Sequence, residues 1–342
     1  MLTIYSEDHR LQDGRSELIN GELVPCFEMP RRADLVLARV REVGLGPVDA
    51  PDHFGIDPVI KVHDFNFVAF LRTAWEQWTT IGHSHDALPT AWAIRGMRDR
   101  EPETIDGKLS YYSFDAGTPI TAGTWKAAKS AVDVALTGQK QVAAGARAAF
   151  ALCRPPGHHA ASDYYGGYCF LNNAAVAAQA FIDDGAGKVA ILDIDYHHGN
   201  GTQNIFYHRG DVFFASIHGH PAQEYPWFLG YEDETGTGEG EGCNANFPLR
   251  WGTGFDHWNE ALDQACRRIA GWGAETLVVS LGVDTFKDDP ISRFKLESPD
   301  YLRIGERIAG LGLPTLFVME GGYAVEAIGV NAVNVLTGFE GA

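Results

Sequence analysis

Short apolar runs recur along the chain, and each one leads into polar or glycine-rich residues. The clearest run, residues 189–192, is followed directly by the sequence DIDYHHGNG at 193–201. Runs of this length without polar alternation are typical of strands buried on both faces, as the strands of parallel sheets are. Four more runs have the same character and predict further strands at residues 148–153, 212–217, 277–281 and 315–319.

The segments between these runs complete an α/β pattern. Alanine-rich stretches at 172–183 and 257–272 are typical of helices, and strands that alternate with helices predict a parallel sheet with helices on both faces. No repeat or linker divides the chain, so we predict a single domain over residues 1–342. Residues 79–123 break the pattern because they show no clean period. We interpret them as an insertion that reaches over the active site or a second subunit.

The composition restricts the partners and the compartment. With 45 acidic and 27 basic residues the formal net charge is −18, which disfavours binding to the phosphates of nucleic acid. The same charge suits a small cationic ligand, although acidity also simply keeps a protein soluble. The N-terminus lacks the features of a secretory signal, no apolar stretch approaches a membrane span, and the five cysteines are widely spaced without a CxxC motif. We therefore expect a cytoplasmic protein that binds neither nucleic acid nor membrane.

Metal-binding side chains follow two of the predicted strands. Asp195 and His197 come after residues 189–192, and Asp284 comes after residues 277–281. Ligand sites of open α/β sheets lie at the carboxyl ends of the strands, so we expect these three side chains to meet there. Two carboxylates and one imidazole leave coordination positions open for water and substrate, as a hydrolytic centre requires. This oxygen-rich set accepts Zn²⁺, Fe²⁺, Co²⁺ or Mn²⁺, so the donor types leave the metal open.

Two further motifs lie at predicted strand ends. In RPPGHH at 154–159, prolines and a glycine make a stiff turn that places His158 and His159 at the edge of the sheet. Adjacent imidazoles can divide the work, one paired with a carboxylate and the other exchanging protons near neutral pH. In EGGY at 320–323, the glycines allow a sharp turn, and Tyr323 could face a developing oxyanion. The alternative for Tyr323 is a structural tyrosine of the core.

The motifs together resemble those of a known family. RPPGHHA at 154–160, DIDYHHGNG at 193–201 and GVDTF at 282–286 are similar in order and spacing to motifs of the histone deacetylase superfamily, as are VHDFNFVAFL at 62–71, SIHG at 216–219 and GGY at 321–323. Within that superfamily, the chain with its insertion is most similar to the bacterial acetylpolyamine amidohydrolases. The resemblance implies the arginase–deacetylase fold, an α/β architecture with a central eight-stranded parallel sheet.

The resemblance also implies two cations. Asp195, His197 and Asp284 would hold one Zn²⁺ per subunit, with Fe²⁺ or Co²⁺ as alternatives. A structural K⁺ would lie close by. Hard oxygen donors suit such an ion, and carboxylate and backbone oxygens would come from Asp193, Asp195, His197, Ser216 and Ile217.

The catalytic roles that the resemblance implies are those of an amide hydrolase. His159 would be the general base and then the general acid, while His158, paired with Asp193, would be its electrostatic partner. Tyr323 would polarise the amide carbonyl, and acetate and a free amine would leave. Asn200, the expected partner of His159, stands where many histone deacetylases carry Asp. A neutral amide stabilises an imidazolium less than a carboxylate does, so His159 should be the less basic histidine.

For the substrate, the resemblance implies a narrow tunnel. Tyr168 and Tyr225 would line it beside Gly167, since flat aromatic walls suit an alkyl chain and can bear a cation. Asp106 and Asp115 of the insertion are the candidates for meeting a distal ammonium group. Such a tunnel would admit acetylputrescine or acetylcadaverine and exclude a protein loop. Because the partner's insertion closes the tunnel in this branch, a homodimer is expected.

Three alternatives to a polyamine deacetylase stay open. The nearest is a broad acetyl-lysine or acetoin-utilisation-type protein deacetylase, which would cleave acetylated peptides. A ureohydrolase of the arginase type would need two Mn²⁺ ions and extra aspartates, but the chain has His198-Gly199-Asn200 after His197. A binding module that retains acetylamines without cleaving them would not need the intact histidine pair and Tyr323.

Overall fold

The computed structural model describes residues 1–342 and is built around one sheet of eight strands. All neighbouring strands of this sheet run parallel, in the order β4-β1-β5-β10-β9-β6-β7-β8, and a separate antiparallel hairpin pairs β2 with β3. The strands are β1 Leu2–Ile4, β2 Glu17–Ile19, β3 Glu22–Val24, β4 Val48–Asp49, β5 Ala148–Ala151, β6 Val189–Asp193, β7 Val212–Gly219, β8 Asn244–Leu249, β9 Thr276–Leu281 and β10 Thr315–Met319. The predicted eight-stranded parallel sheet is confirmed.

Helices cover both faces of the sheet. They are α1 Arg31–Val43, α2 Asp57–Ile60, α3 Phe65–Thr80, α4 Ile105–Tyr111, α5 Thr124–Ala143, α6 Asn173–Asp183, α7 Asn200–Phe206, α8 Phe255–Trp272, α9 Asp300–Ala309 and α10 Val325–Gly341. Two short 3-10 turns lie at Glu7–Leu11 and Gly238–Gly240. The helices predicted at 172–183 and 257–272 correspond to α6 and α8. No helix is long and apolar enough to cross a membrane.

Alternating strand residues divide between two hydrophobic cores. Phe150 and Phe317 point into the core formed with α1, α8, α9 and α10, whereas Ala151 and Val318 point into the core formed with α3, α5 and α6. A strand with apolar neighbours on both sides cannot carry polar alternation. This is why the five central strands could be predicted as continuous apolar runs.

The strands of the central sheet that the sequence did not predict are short or polar. β1 has three residues and β4 has two, so neither forms a recognisable run. β8 has the sequence NANFPL and pairs on one side only, with β7, at the edge of the sheet. An edge position tolerates a proline, which would interrupt the hydrogen bonds of a central strand.

The insertion predicted at 79–123 packs against the segment that follows His158 and His159. It contains α4, and its ends are brought together by a bridge between Ala87 and Ile120. Phe114 donates its amide hydrogen to the carbonyl of Tyr165 at 3.1 Å, in the segment that follows the histidine pair. Five large apolar or aromatic side chains of the insertion are exposed, and three of them lie close together in the sequence, Trp92, Ile94 and Met97; the others are Ile81 and Tyr111.

Candidate active site

Three candidate metal ligands meet at the carboxyl ends of two adjacent strands. Asp195 and His197 follow β6, Asp284 follows β9, and one ligand atom from each lies within 4.8 Å of the others. His197 Nδ1 is 3.0 Å from Asp284 Oδ2 and 3.5 Å from Asp195 Oδ1. All three side chains are buried. The structure therefore brings together the set that the sequence predicted.

The spacing of these atoms fits a divalent metal. Ligand atoms about 2.0–2.2 Å from a tetrahedral Zn²⁺ lie roughly 3.4 Å from one another, close to the distances from His197 Nδ1. Backbone amides hold the remaining carboxylate oxygens: Gly321 donates to Asp195 Oδ2 at 2.8 Å, and Tyr196 donates to Asp284 Oδ1 at 2.7 Å. The other oxygens, Asp195 Oδ1 and Asp284 Oδ2, lie near His197 Nδ1, and Asp195 Oδ1 also accepts from the amide of His197 at 2.9 Å.

The electrostatics of the cluster favour a cation at its centre. Burial and the nearby negative charge of Asp195 together raise the pKa of Asp284 to about 7. Burial alone would lower the pKa of His197, but its hydrogen bonds to Asp195 and Asp284 outweigh burial and raise that pKa well above its usual value. Positive charge between the three side chains is therefore stabilising, and a divalent ion would supply it.

A second group, His158, Cys169 and Glu320, also has ligand atoms within 4.8 Å of one another. Two of its members are already engaged, since His158 Nδ1 donates to Asp193 and Glu320 Oε2 accepts from backbone amides. Burial raises the pKa of the Cys169 thiol well above its usual value, so this residue is not a thiolate at neutral pH. The first group is the better metal site.

The two histidines have different partners. His158 Nδ1 donates to Asp193 Oδ2 at 2.9 Å, and His159 Nδ1 donates to Asn200 Oδ1 at 2.6 Å. Burial would lower the pKa of His158, but the charges of Asp193 and Asp195 raise it to about 10. Burial lowers the pKa of His159 well below its usual value, and repulsion by His158 lowers it further. His159 is the less basic histidine, as the sequence predicted.

Glu320 fixes the turn that carries these histidines. Its Oε2 accepts hydrogen bonds from the amides of Gly157 at 2.6 Å and His158 at 3.1 Å. Burial raises the pKa of Glu320 to about 8, although the positive charge of His158 opposes this. From the sequence, Glu320 is only the first residue of the EGGY turn, and this contact was not predicted. A buried acid directly after a β-strand was the available signal.

Tyr323 lies beyond the end of β10 and is buried, two residues after Gly321, whose amide donates to the candidate metal ligand Asp195. Arg32 holds the carbonyl side of its turn, donating to the oxygens of Gly322 and Glu320 at 2.6 Å each, and its guanidinium lies 4.6 Å from the centre of the Tyr323 ring. Asp289 holds the amide side, accepting from Tyr323 at 2.7 Å. Burial raises the pKa of Tyr323 well above its usual value, so the phenol is a neutral hydrogen-bond donor. Neither Arg32 nor Asp289 was predicted.

Aromatic rings surround the approach to the histidines. Tyr168 lies edge-on to Tyr323 with ring centres 5.4 Å apart, and Tyr225 lies edge-on to His159 at 5.3 Å. Phe114 of the insertion stacks on Tyr225 at 5.7 Å and was not predicted. Gly167 has φ 55°, and a Cβ there would lie 2.2 Å from the His159 ring. Only glycine fits this place, which explains the glycine-rich sequence before Tyr168.

The two acidic candidates of the insertion have different environments. Asp115 lies at the aromatic wall, where its Oδ2 accepts from the Gly167 amide at 2.6 Å and the Tyr225 hydroxyl at 2.7 Å. Its Oδ1 accepts from Gly117 and Thr118, both at 3.0 Å. Asp106 is exposed on the first turn of α4 and its carboxylate makes no hydrogen bond within the chain. The structure therefore brings Asp115 to the site and leaves Asp106 at the surface.

The residues predicted to bind K⁺ lie beside the cluster of Asp195, His197 and Asp284. Asp193 at the end of β6 is the cross-strand partner of Ser216 on β7, and Ile217 follows it. The loop that contains His197 is tied to the same strand, because Gly219 donates to the carbonyl of Tyr196 at 2.8 Å. These residues are therefore neighbours in the fold.

Comparison with known proteins gives one consistent result. Residues 26–339 match the histone deacetylase domain. The chain is 65% identical over 341 residues to acetylpolyamine amidohydrolase 2 of Pseudomonas aeruginosa, covering 100% of this chain and 99% of that protein. It is 55% identical over 341 residues to the acetylpolyamine amidohydrolase of Mycoplana ramosa, with 100% of both chains covered. The crystal structure of acetylpolyamine aminohydrolase from Burkholderia pseudomallei matches with a TM-score of 0.95 at 39% identity, covering 99% of this chain and 98% of that one. The protein belongs to the histone deacetylase family.

Proposed function

We propose that this protein is a metal-dependent amidohydrolase that removes acetyl groups from acetylated polyamines such as acetylputrescine and acetylcadaverine. The observation that carries the proposal is the buried cluster of Asp195, His197 and Asp284, with the His158–His159 pair and Tyr323 beside it. Full-length identity to proteins named acetylpolyamine amidohydrolase supports the substrate class. The products are acetate and a free amine.

For the metals, we propose Zn²⁺ at Asp195, His197 and Asp284, with Fe²⁺ or Co²⁺ as alternatives that the donor set accepts. When bound, such a metal supplies Lewis acidity to the amide carbonyl and to the attacking water. We also propose a structural K⁺ at the oxygens of Asp193, Asp195, His197, Ser216 and Ile217. Support comes from their adjacency at the ends of β6 and β7.

The protein's own side chains have distinct tasks in this proposal. His159 donates Nδ1–H to Asn200, so the lone pair of Nε2 is free to take a proton from the attacking water. The same proton then passes to the leaving amine. His158 stays protonated beside Asp193 and stabilises negative charge that develops on the substrate. The hydroxyl group of Tyr323 donates a hydrogen bond to the carbonyl oxygen as the tetrahedral intermediate forms.

For the substrate, we propose that the aromatic wall selects a slender alkyl chain. Tyr168 packs against Tyr323, Tyr225 packs against His159, and Gly167 lies so close to the His159 ring that a Cβ would not fit. Asp115 fixes this wall through Gly167 and Tyr225 and places negative charge there for a distal ammonium group. Asp106, which is exposed, would reach substrate only at the tunnel mouth or in a partner's tunnel.

The substrate class can be tested with three acetylated amines. We expect kcat/KM of the zinc-loaded protein for N-acetylputrescine to exceed that for an acetyl-lysine peptide by roughly 100-fold, because a narrow tunnel excludes the peptide backbone. N-Butylacetamide, which has the same chain length without the ammonium group, serves as the matched control. The kcat/KM for N-butylacetamide should be about tenfold lower than that for N-acetylputrescine if acidic and aromatic groups recognise the cation.

Comparable or better cleavage of the peptide would instead indicate an open tunnel mouth and a broad acetyl-lysine or acetoin-utilisation-type protein deacetylase. Equal turnover of N-acetylputrescine and N-butylacetamide would contradict cation recognition while leaving the hydrolytic assignment intact. Absence of turnover on all three compounds would contradict the assignment of the site as a deacetylase.

We also propose a homodimer in which the insertion of each subunit helps to close the other's tunnel. Exposed Trp92, Ile94 and Met97 on the insertion support this, since large apolar side chains clustered along one segment favour an interface. Light scattering should give about twice the chain mass of 37.3 kDa. Ile94→Asp should lower that mass, whereas Val43→Asp, at the end of α1, should leave it unchanged. A monomeric wild-type protein with full activity would contradict the proposal.

Finally, we propose that residues 1–342 form a single domain and that the protein works in the cytoplasm. The central sheet takes strands from the first residues to β10, which supports one domain with 79–123 as an insertion. All five cysteines are free, as is usual in a reducing compartment. The acidic charge supports a small cationic substrate rather than nucleic acid.

A further inference from the structure

One buried carboxylate holds the backbone of the candidate catalytic tyrosine. Asp289 Oδ2 accepts hydrogen bonds from the amides of Tyr323 at 2.7 Å and Ala324 at 3.0 Å. Its Oδ1 accepts from the amide of Ile291 at 3.1 Å, so both oxygens are engaged by backbone donors. Asp289 itself is buried, whereas its neighbour Asp288 is exposed.

Tyr323 needs such an anchor because of the residues before it. Gly321 and Gly322 give the turn no side chains to pack, and Gly322 has φ 133°. A glycine pair leaves the backbone free to sample many conformations, so hydrogen bonds to the backbone help to fix the following residue in addition to the packing of the Tyr323 ring against Arg32 and Tyr168. Asp289 supplies two of these bonds directly at and after Tyr323.

The anchor also connects Tyr323 to the metal cluster. Asp289 lies in the loop after β9, which also contains the candidate metal ligand Asp284, so one loop carries both a candidate ligand and the anchor of the tyrosine. A second hydrogen bond connects the same loop to the tyrosine turn, because Val283 donates its amide hydrogen to the carbonyl of Gly321 at 3.0 Å. The distance between the tyrosine hydroxyl and the metal cluster therefore depends on this loop.

We propose that Asp289 is a positioning residue that sets the place of the Tyr323 hydroxyl relative to the metal cluster. The inference rests on the proposed role of Tyr323 as the donor to the amide carbonyl. Asp289 is not one of the three candidate metal ligands, and it acts through the peptide of Tyr323. A purely structural carboxylate would affect stability and leave the contribution of the tyrosine unchanged.

A double-mutant cycle separates these two roles. With N-acetylputrescine and zinc-loaded protein, Asp289→Ala should lower kcat by about 30-fold with KM changed less than about threefold, since misplacing a catalytic group by 1 Å costs up to about 100-fold. In a Tyr323→Phe background, which has no hydroxyl to position, the same change should lower kcat by less than about threefold. Asp289→Asn should fall between wild type and alanine, because its carbonyl can still accept from Tyr323 and Ala324. Asp288→Ala is the matched control and should have wild-type kinetics.

If Asp289→Ala lowers kcat by the same factor in the Tyr323→Phe background as in the wild-type background, the positioning role is overturned. Wild-type kcat in Asp289→Ala alone would overturn it as well. If the alanine variant does not fold, Asp289→Asn takes its place in both backgrounds, with the same non-additivity expected. Wild-type activity of Tyr323→Phe alone would overturn the proposed role of the tyrosine, and the role of Asp289 with it. That result is distinguishable from failure of the Asp289 proposal, in which Tyr323→Phe is impaired but the cycle is additive.

Discussion

His159→Ala should lower kcat for N-acetylputrescine by about 10³-fold, within the range of 10²–10⁴ typical of a lost general acid–base residue. The reason is geometric and electrostatic. His159 Nδ1 is committed to Asn200 at 2.6 Å, and burial keeps the pKa of the ring well below its usual value, so the ring is neutral with Nε2 ready to accept a proton. His158 is less suited to accept a proton, because the charges of Asp193 and Asp195 outweigh burial and raise its pKa to about 10.

The measurement pairs kcat with metal content. His159 is not among the cluster of Asp195, His197 and Asp284, so zinc bound per subunit should stay at the wild-type value. His257→Ala, an exposed histidine on α8, is the control for histidine removal and should leave both quantities unchanged. A His159→Ala variant that keeps more than about a tenth of wild-type kcat, with zinc bound, would move the proton-transfer role to another group.

The part of the site that could be predicted from the sequence is the part carried by strand ends. Asp195, His197 and Asp284 each follow an apolar run, and parallel strands bring their carboxyl ends to one edge. The histidine pair was predicted for the same reason, because its turn follows β5. Here local pattern and sheet topology together determine the neighbours, so the resemblance to the family and the residue chemistry lead to the same result.

What the sequence could not give are contacts between distant segments through backbone atoms. Arg32 on α1 reaches carbonyls at Gly322 and Glu320, and its helix shows only an amphipathic pattern that does not reveal this contact. Asp289 and Glu320 accept hydrogen bonds from backbone amides. Every residue except proline has a backbone amide, so neither the type nor the spacing of the donor residues indicates these contacts. Such anchors depend on where loops pass, and loop paths follow from tertiary packing.

Asp115 shows the same difficulty for a predicted residue. From the sequence it is a carboxylate on an insertion, which fits a site for an ammonium group. In the fold, its two oxygens accept from Gly167, Tyr225, Gly117 and Thr118. A carboxylate that accepts four hydrogen bonds has a structural role, here in fixing the aromatic wall. Any attraction of Asp115 for a distant cation acts in addition to this role.

Asp195→Asn should abolish both zinc binding and turnover, with kcat reduced by more than about 10³-fold. The asparagine side chain has nearly the same shape and can still accept from the Gly321 amide, which Asp195 Oδ2 does at 2.8 Å. It lacks the negative charge that, with Asp284, stabilises a cation beside His197. The change therefore removes the charge of a candidate metal ligand without changing the size of the side chain. Its single carbonyl oxygen replaces two carboxylate oxygens that accept from the amides of Gly321 and His197, so one of these two backbone hydrogen bonds is lost.

Zinc-dependent stability provides a measurement that does not involve turnover. A ligand that binds only the folded protein stabilises it by about 2.7 kcal/mol at 100 times its Kd, so excess Zn²⁺ should raise the Tm of the metal-free wild-type protein. The Tm of Asp195→Asn should respond little to Zn²⁺, whereas Asp256→Asn, an exposed control on the first turn of α8, should respond like wild type. A wild-type Tm response in Asp195→Asn would contradict the assignment of Asp195 as a ligand, and loss of turnover would then require an explanation through Gly321 and the tyrosine turn.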